Sequence, residues 1–166
     1  EAIRIFSDTL GKDDLTMGDV MYEVGLLVDN QGGHGSSEKA LACFNEVARI
    51  YDVNGKGRDA KVADALVQKS TLLADFDEAS SVLNEAIEIY TESLGEDAAE
   101  IGKVMLRHGK LHEDQHNDDE AMAAFNEALR IFQISFGDDD INVSICLSHI
   151  GKIHARKLEY SEAVYK

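Results

Sequence analysis

The feature that most constrains this chain is a short segment that recurs four times along it. The four segments are EAIRIF (1–6), EVARIY (46–51), EAIEIY (85–90) and EALRIF (127–132). Their starts lie 45, 39 and 42 residues apart. A period of roughly 20–50 residues is typical of proteins in which small supersecondary units stack on one another. The sequence therefore predicts a repeat array.

Three further motifs recur in the same order between these segments. One comprises TLGKDD (9–14), SLGEDA (93–98) and SFGDDD (135–140). Another comprises SEKALACF (37–44), DEASSVL (77–83), DEAMAAF (119–125) and SEAVYK (161–166). The last is a small residue at Gly25, Gly109 and Gly151, with Ser70 or Val67 at this place in the second repeat. Four ordered motifs with a mean period of 42 indicate related units along the whole chain.

Each unit is predicted to form two amphipathic helices. In the third unit, Ile101, Val104, Met105 and Leu111 recur with a period near 3.6, which predicts a helix over about 97–115. An apolar stripe within 121–132 predicts a second helix over about 118–135. Capping-box-like sequences at 75–78, 97–100 and 117–120 are expected to begin helices. The chain contains no proline, a residue that breaks helix interiors, and this absence fits a chain of long helices. The predicted fold class is all-α.

Small residues recur where the two helices of a unit are expected to cross. Gly109 and Ala121 lie twelve residues apart, as do Gly151 and Ala163, and such small side chains let two helices approach closely. This arrangement resembles the tetratricopeptide repeat (TPR) family, whose repeat is usually about 34 residues long. The longer repeat with an L-G-x-D/E-D linker is similar to the kinesin-light-chain type. The resemblance implies an α-α superhelix, a TPR solenoid of antiparallel helix pairs.

The predicted organisation is a single array. Its expected parts are the end of a second helix (1–10), three repeats (15–53, 58–93 and 97–135) and a partial fourth repeat (139–166). The fourth repeat is expected to hold a first helix, a turn near Leu158 and the start of a second helix. The first repeat carries about three extra residues in its turn at 31–35. The second is about three residues short, either in its turn or in the linker at 54–58, and we expect the chain to be part of a longer protein.

The net charge of −16 argues against nucleic acid as a partner, since phosphates require a basic surface. No apolar run reaches the ~20 residues of a membrane span. Cys43 and Cys146 lie on apolar helix faces and are expected to be core residues in a reducing compartment. A cytoplasmic location is favoured, and an organelle stays open. Acidic runs such as Asp13-Asp14 and 138–140 are expected to cap helices, with an acidic binding surface as the alternative.

The segment HEDQH (112–116) matches the H-E-x-x-H pattern of zinc metalloproteases. On a helix, His112 and His116 would share one face and Glu113 would be the general base. The repeat places His116 where the first helix ends, however, and no third ligand follows in a suitable element. His112 and His154 are instead expected to pack where such repeats carry an aromatic residue, and His108 to be half-buried and neutral. We predict no catalytic residue, no metal site and no cofactor.

The resemblance implies that partner proteins or peptide segments bind a concave groove lined by the first helix of each repeat. The implied groove residues are Asp19, Tyr22, Leu26, Asp29, Asp64, Gln68, Leu106, Lys110, Glu113, Ser148, Lys152 and Arg156. These residues change from acidic to basic along the chain. The predicted function is a non-catalytic scaffold or adaptor. The alternatives are a fixed subunit of a large assembly, which an apolar outer face would favour, and, remotely, a zinc hydrolase.

Overall fold

The computed structural model describes the backbone of residues 7–9, 11–33 and 35–164 and the side chains of these residues up to Leu158. Most of the predicted helix end at 1–10 therefore lies outside the described residues. Within them every regular element is a helix and there is no strand, so the all-α prediction is confirmed. The helices are α1 (Leu15–Gln31), α2 (Ser36–Val53), α3 (Ala60–Ser70), α4 (Phe76–Leu94), α5 (Ala99–Asp114), α6 (Asp118–Phe136) and α7 (Ile141–Val164).

The helices pack as consecutive antiparallel pairs within two compact units. The first unit, Glu1–Leu94, holds the pairs α1–α2 and α3–α4, with α3 also packed against α2. The second unit, Gly95–Lys166, holds the pair α5–α6 and α7, which packs against α6. Each unit buries its own apolar core. In the second unit the core includes Phe125, Phe132, Val143 and Cys146.

Glycine allows the two helices of a pair to cross closely. A Cβ atom on Gly25 would lie 2.7 Å from the ring of Phe44, and one on Gly109 would lie 2.6 Å from the ring of Phe125. Both rings are almost fully buried. The predicted close approach at these glycines is therefore confirmed, and the ring of the second helix fills the space that a side chain would occupy.

The missing residues of the second repeat can now be placed. The Tyr51 hydroxyl donates to Asp19, 32 residues earlier, and the Tyr90 hydroxyl donates to Asp64, 26 residues earlier. From each tyrosine to the next first helix the spacing is constant, since Tyr51 to Asp64 and Tyr90 to Lys103 are both 13 residues. The deletion therefore lies inside the second pair, between α3 and α4, and not in the linker at 54–58.

Acidic residues cap four helices. Asp14, Asp59 and Asp140 accept hydrogen bonds from backbone N–H groups two residues later, at 2.8, 3.0 and 2.8 Å. Asp75 accepts from the Glu78 N–H at 2.8 Å, as its capping-box sequence predicts. These bonds satisfy N–H groups that have no partner inside the helix.

The other two predicted capping boxes are wrong. The N-cap of α5 is Ala98, and the carboxylate of Asp97 lies 2.8 Å from Arg130 instead. Asn117 is the N-cap of α6, but its side chain makes no capping hydrogen bond. A nearby guanidinium is a stronger partner for Asp97 than a neutral backbone N–H.

The fourth repeat differs from its prediction. The structure continues α7 as one helix from Ile141 to Val164, without the expected turn near Leu158. His154 is exposed on α7, and its predicted packing role is wrong.

The two cysteines differ in their surroundings. Cys146 is fully buried, and burial raises the pKa of its thiol to about 11. Cys43 is half-buried, and burial raises its pKa as well. The core prediction is therefore confirmed for Cys146 and is only partly right for Cys43. Among the helices described, none is long and apolar enough to cross a bilayer.

Candidate protein-binding surface

In the first unit, side chains of α1 and α3 meet around Tyr22. The Lys61 ammonium lies 5.1 Å from the centre of the Tyr22 ring, a cation–π distance, and 3.9 Å from the carboxylate of Asp19. Gln68 hydrogen-bonds to the Tyr22 side chain. Burial, followed by the negative charge of Asp64, raises the pKa of Tyr22. The structure thus brings together four predicted groove residues, Asp19, Tyr22, Asp64 and Gln68, and adds Lys61.

Two of these carboxylates also join the helices of their own pairs. Asp19 accepts a hydrogen bond of 3.0 Å from Tyr51, and Asp64 accepts one from Tyr90. Burial and the bond to Asp19 raise the pKa of Tyr51, so its hydroxyl remains a donor. Each carboxylate therefore has a structural partner and keeps exposed surface. The other predicted residues of α1, Leu26 and Asp29, are half-buried.

In the second unit, two of the predicted groove residues make polar contacts that join α7 to the α5–α6 pair. The carboxylate of Glu113 lies 2.6 Å from Nδ1 of His149, whose ring stacks on Phe125 with centroids 4.7 Å apart. Arg156 pairs with Asp118. Their side chains are 16–24% exposed, so these contacts leave little surface for a partner.

The remaining predicted residues of this unit form a basic surface. Lys110, Ser148 and Lys152 are exposed, and neither lysine has a carboxylate partner among the described residues. Leu106 is only 9% exposed and belongs to the core, so its placement on an open surface is wrong. Leu106 lies in a buried apolar cluster that also contains Phe125 of α6 and Cys146 of α7.

Sequence reasoning missed Lys103, which is exposed on α5. It follows Gly102 just as Asp19 follows Gly18, and Asp64 holds the same place in α3. In the α5–α6 pair, the residue facing this place on the second helix is Phe132 in place of Tyr51 or Tyr90. A carboxylate with a tyrosine partner is thus replaced by a lysine with a phenylalanine. A comparison of the repeats position by position would have identified Lys103 as a surface residue that differs from Asp19 and Asp64.

The HEDQH segment does not form the helical face that a zincin requires. Helix α5 ends at Asp114, and His116 is exposed in the turn with a left-handed φ of 59°. His108 and His112 remain adjacent, with ring centroids 4.8 Å apart in an edge contact. Burial, then the neighbouring His112, lowers the pKa of His108, which agrees with its predicted half-buried, neutral state.

These two histidines line an open cleft of about 350 Å³ between α5 and α6. Its other lining residues are Met105, Glu120, Ala123, Ala124 and Glu127. No group of three or more histidine, cysteine or carboxylate side chains in the described part of the chain is placed to hold a metal ion.

Comparison with known proteins agrees with the repeated helix pairs. The sequence model of the tetratricopeptide repeat family matches residues 70–134, which run from the end of α3 into the last turns of α6. Residues 70–134 of this chain are therefore assigned to the tetratricopeptide repeat family. The family assignment and the α-α superhelix class made from the sequence are therefore confirmed. The kinesin-light-chain type of repeat stays a prediction.

A solved structure shares the fold of this chain. The crystal structure of BtubC (BKLC) from P. vanneervenii superposes with a TM-score of 0.78 and 22% sequence identity. The superposition covers 92% of this chain and 61% of BtubC, so the chain spans less than two thirds of that protein. A comparison with curated protein sequences finds no match.

Proposed function

We propose that the chain is a non-catalytic adaptor that binds segments of other proteins on the exposed faces of its first helices. Tetratricopeptide repeats generally mediate protein–protein interaction and are typically non-catalytic, and this supports the general role. The observation that carries the specific proposal is the basic surface of Lys103, Lys110 and Lys152 in a chain with a net charge of −16. Three exposed lysines that have no carboxylate partner within the described residues favour an acidic segment.

The first unit favours a basic partner segment instead of an acidic one. Asp19, Glu23 and Asp64 lie on α1 and α3, with Lys61 as the neighbouring cation. A basic stretch of a partner would suit this surface, since complementary charges speed association and suppress wrong partners. Each unit therefore selects a different stretch of chain, and the side chains that join α7 to the α5–α6 pair keep the basic surface in a fixed shape.

The alternative role, a fixed subunit of a large assembly, has less support. It predicts an apolar patch on the outer faces of the second helices. The exposed apolar side chains on these helices lie at their ends, at Val53, Leu94, Ile134 and Phe136. Their outer faces otherwise carry polar side chains such as Asn45, Asn84 and Asn126. Apolar residues that are exposed singly are normal on protein surfaces.

Cross-linking mass spectrometry on the complex isolated from its native source tests the proposal. Cross-links from Lys110 and Lys152 to one short acidic segment are expected for an adaptor. Cross-links spread over Lys39 and Lys56, to several large partners, would identify a fixed subunit. A synthetic peptide of the cross-linked segment then provides the quantitative test.

We expect that peptide to bind less tightly as salt is raised, because exposed charge pairs are screened. The K110E/K152E variant should lose about tenfold or more in affinity, which corresponds to at least about 1.4 kcal/mol. The matched control K39E/K56E makes the same change in charge on α2 and the following linker. Equal losses in both variants would show that net charge alone, and not this surface, governs binding.

A further inference from the structure

In the first unit, the ring of Tyr22 already carries a cation that belongs to the chain itself. The ammonium of Lys61, on α3, lies 5.1 Å from the centre of this ring on α1. It also lies 3.9 Å from the carboxylate of Asp19. A cation over the face of a tyrosine ring is attracted by the negative charge of that face. The surface between α1 and α3 therefore shows how it accepts a positively charged side chain.

The contact that Lys61 makes with this surface is loose. Among the described residues its ammonium donates no hydrogen bond, since the oxygen of Asp19 at 3.9 Å lies beyond hydrogen-bond distance. By contrast, the ammonium of Lys157 on α7 donates to Asp119 at 2.5 Å. The side chain of Lys61 is 34% exposed, and an exposed ion pair adds little net stability. Lys61 can therefore leave the ring at little cost when another cation binds.

Several carboxylates surround the same place. Burial is the largest cause that raises the pKa of Tyr51, and the negative charges of Asp19, Asp59 and Asp64 add to it. Burial also raises the pKa of Tyr22, and the charge of Asp64 follows it. Within the described part of the chain, these three carboxylates have one ion pair, the 3.9 Å contact of Asp19. The surface thus keeps negative charge that a second cation can neutralise.

Two of these carboxylates are fixed in place and keep an acceptor oxygen. Tyr51 donates to Oδ1 of Asp19, and Tyr90 donates to Oδ1 of Asp64. Neither Oδ2 accepts a hydrogen bond from a described residue. Because the tyrosines already order these side chains, a ligand that binds to the second oxygens has less conformational entropy to overcome.

We propose that Tyr22 is the platform for an arginine side chain of a partner protein, and that Lys61 holds this position until the arginine displaces it. This inference rests on the proposed binding of a basic segment by the first unit. A planar guanidinium stacks on an aromatic ring while its N–H donors, which lie in the same plane, reach carboxylates at its edge. An ammonium is a compact point charge that lacks this geometry. The partner segment is therefore selected for arginine over lysine at one position.

Two peptides of equal charge test this preference. One is a flexible glycine–serine peptide that contains two arginines, and the other has lysine at both places. Each peptide is labelled with fluorescein and titrated with the whole chain at low salt, and fluorescence anisotropy measures the affinity. We expect the arginine peptide to bind about threefold to fivefold more tightly, which is the contribution of a cation–π contact at an exposed site.

Variants of Tyr22 show whether its ring is responsible. Tyr22→Leu keeps an apolar side chain and removes the ring, so the preference for arginine should disappear. Tyr22→Phe keeps the ring and should retain the preference, although it loses the hydrogen bond to Gln68. Circular dichroism checks that both variants keep the helix content of the wild type.

A variant of Lys61 shows whether its ammonium competes with the arginine. Lys61→Gln should raise the affinity for the arginine peptide by about threefold or more, since the ring no longer holds a cation. The matched control is Lys69→Gln, which removes one positive charge from the last turn of the same helix. Lys69 has no ion pair with a described carboxylate, so this variant should change the affinity much less.

Three results would overturn the inference and leave the adaptor role of the first unit in place. They are equal affinities for the two peptides, an arginine preference that survives Tyr22→Leu, and equal gains in Lys61→Gln and Lys69→Gln. The last would mean that net charge, and not the position on Tyr22, governs the affinity. Absence of binding by both peptides at low salt would instead contradict the proposed binding of basic segments by this unit, and the inference with it.

Discussion

At the scale of single residues, the crossing glycines allow a matched comparison within one chain. Gly109→Ala places a Cβ atom 2.6 Å from the buried ring of Phe125, so the ring must shift. Such overpacking typically costs about 1–3 kcal/mol. Alanine also favours helix over glycine by about 0.5–1 kcal/mol. We expect a net decrease in the free energy of unfolding, measured by urea denaturation followed by circular dichroism.

Gly151→Ala is the control, because Gly151 is the corresponding residue of α7 and its Cβ atom would meet nothing within 4 Å. Only the helix preference of alanine then acts, and the variant should be more stable than the wild type by about 0.5–1 kcal/mol. A stabilised Gly109→Ala variant would show that Phe125 yields without cost and that the crossing does not require glycine.

The same residues show what the sequence could and could not predict. The helix pairs and the crossing at Gly109 were predictable, because apolar periodicity and recurring small residues follow directly from packing. The left-handed His116 and the pairing of Asp97 with Arg130 were not, since each depends on competition among nearby groups in space. Leu106 was misplaced for a related reason, because its exposure depends on neighbouring helices and not on its own helix.

At the scale of elements, an ion pair joins the linker before each helix pair to the second helix of that pair, and the order of its charges alternates along the chain. Asp13 lies 2.7 Å from Arg49, and Asp97 lies 2.8 Å from Arg130. Between them, Arg58 occupies the place of the aspartates and faces Glu88 at 3.8 Å, with a closer contact to Glu92. The reversal of both charges at corresponding positions indicates that the contact itself is what the fold uses.

We therefore predict that the two charges of the ion pair between Arg58, in the linker from α2 to α3, and Glu88 can be exchanged. Arg58→Asp alone places a carboxylate beside Glu88 and should lower the melting temperature through like-charge repulsion. Adding Glu88→Arg recreates the arrangement of the other two linkers, including a glutamate three residues earlier at Glu85, and should recover most of the loss. Thermal melts of the single and double variants measure this coupling, which should shrink in high salt. A double variant no better than the single one would contradict it.

At the scale of the whole molecule, two opposing effects determine how stability depends on pH. The net charge of −16 repels itself at pH 7, and this repulsion falls as carboxylates take up protons toward the pI of about 4.6. Against this, hydrogen bonds from Thr16 hold the pKa of Asp14 below its usual value. Arg58 does so for Glu92, Lys157 for Asp119 and Arg130 for Glu127.

A carboxyl group whose pKa is lowered by folding stabilises the folded state above its unfolded pKa and loses that contribution as the pH falls through the folded value. The unfolded values lie at about 4. We therefore expect the melting temperature to rise as pH decreases from 7, to pass through a maximum, and to fall below about pH 4. Circular dichroism melts over this range measure the curve.

The paired carboxylates are expected to cause the decrease in melting temperature at acid pH. The D119N/E127Q variant measures the contribution of two of them. It removes two charges that Lys157 and Arg130 stabilise, so its melting temperature should lie below that of the wild type at pH 7. Below the folded pKa values both proteins carry neutral groups at these positions, and the two curves should converge. A gap that stays constant down to acid pH would mean that the substitutions act through packing and not through the lowered pKa values.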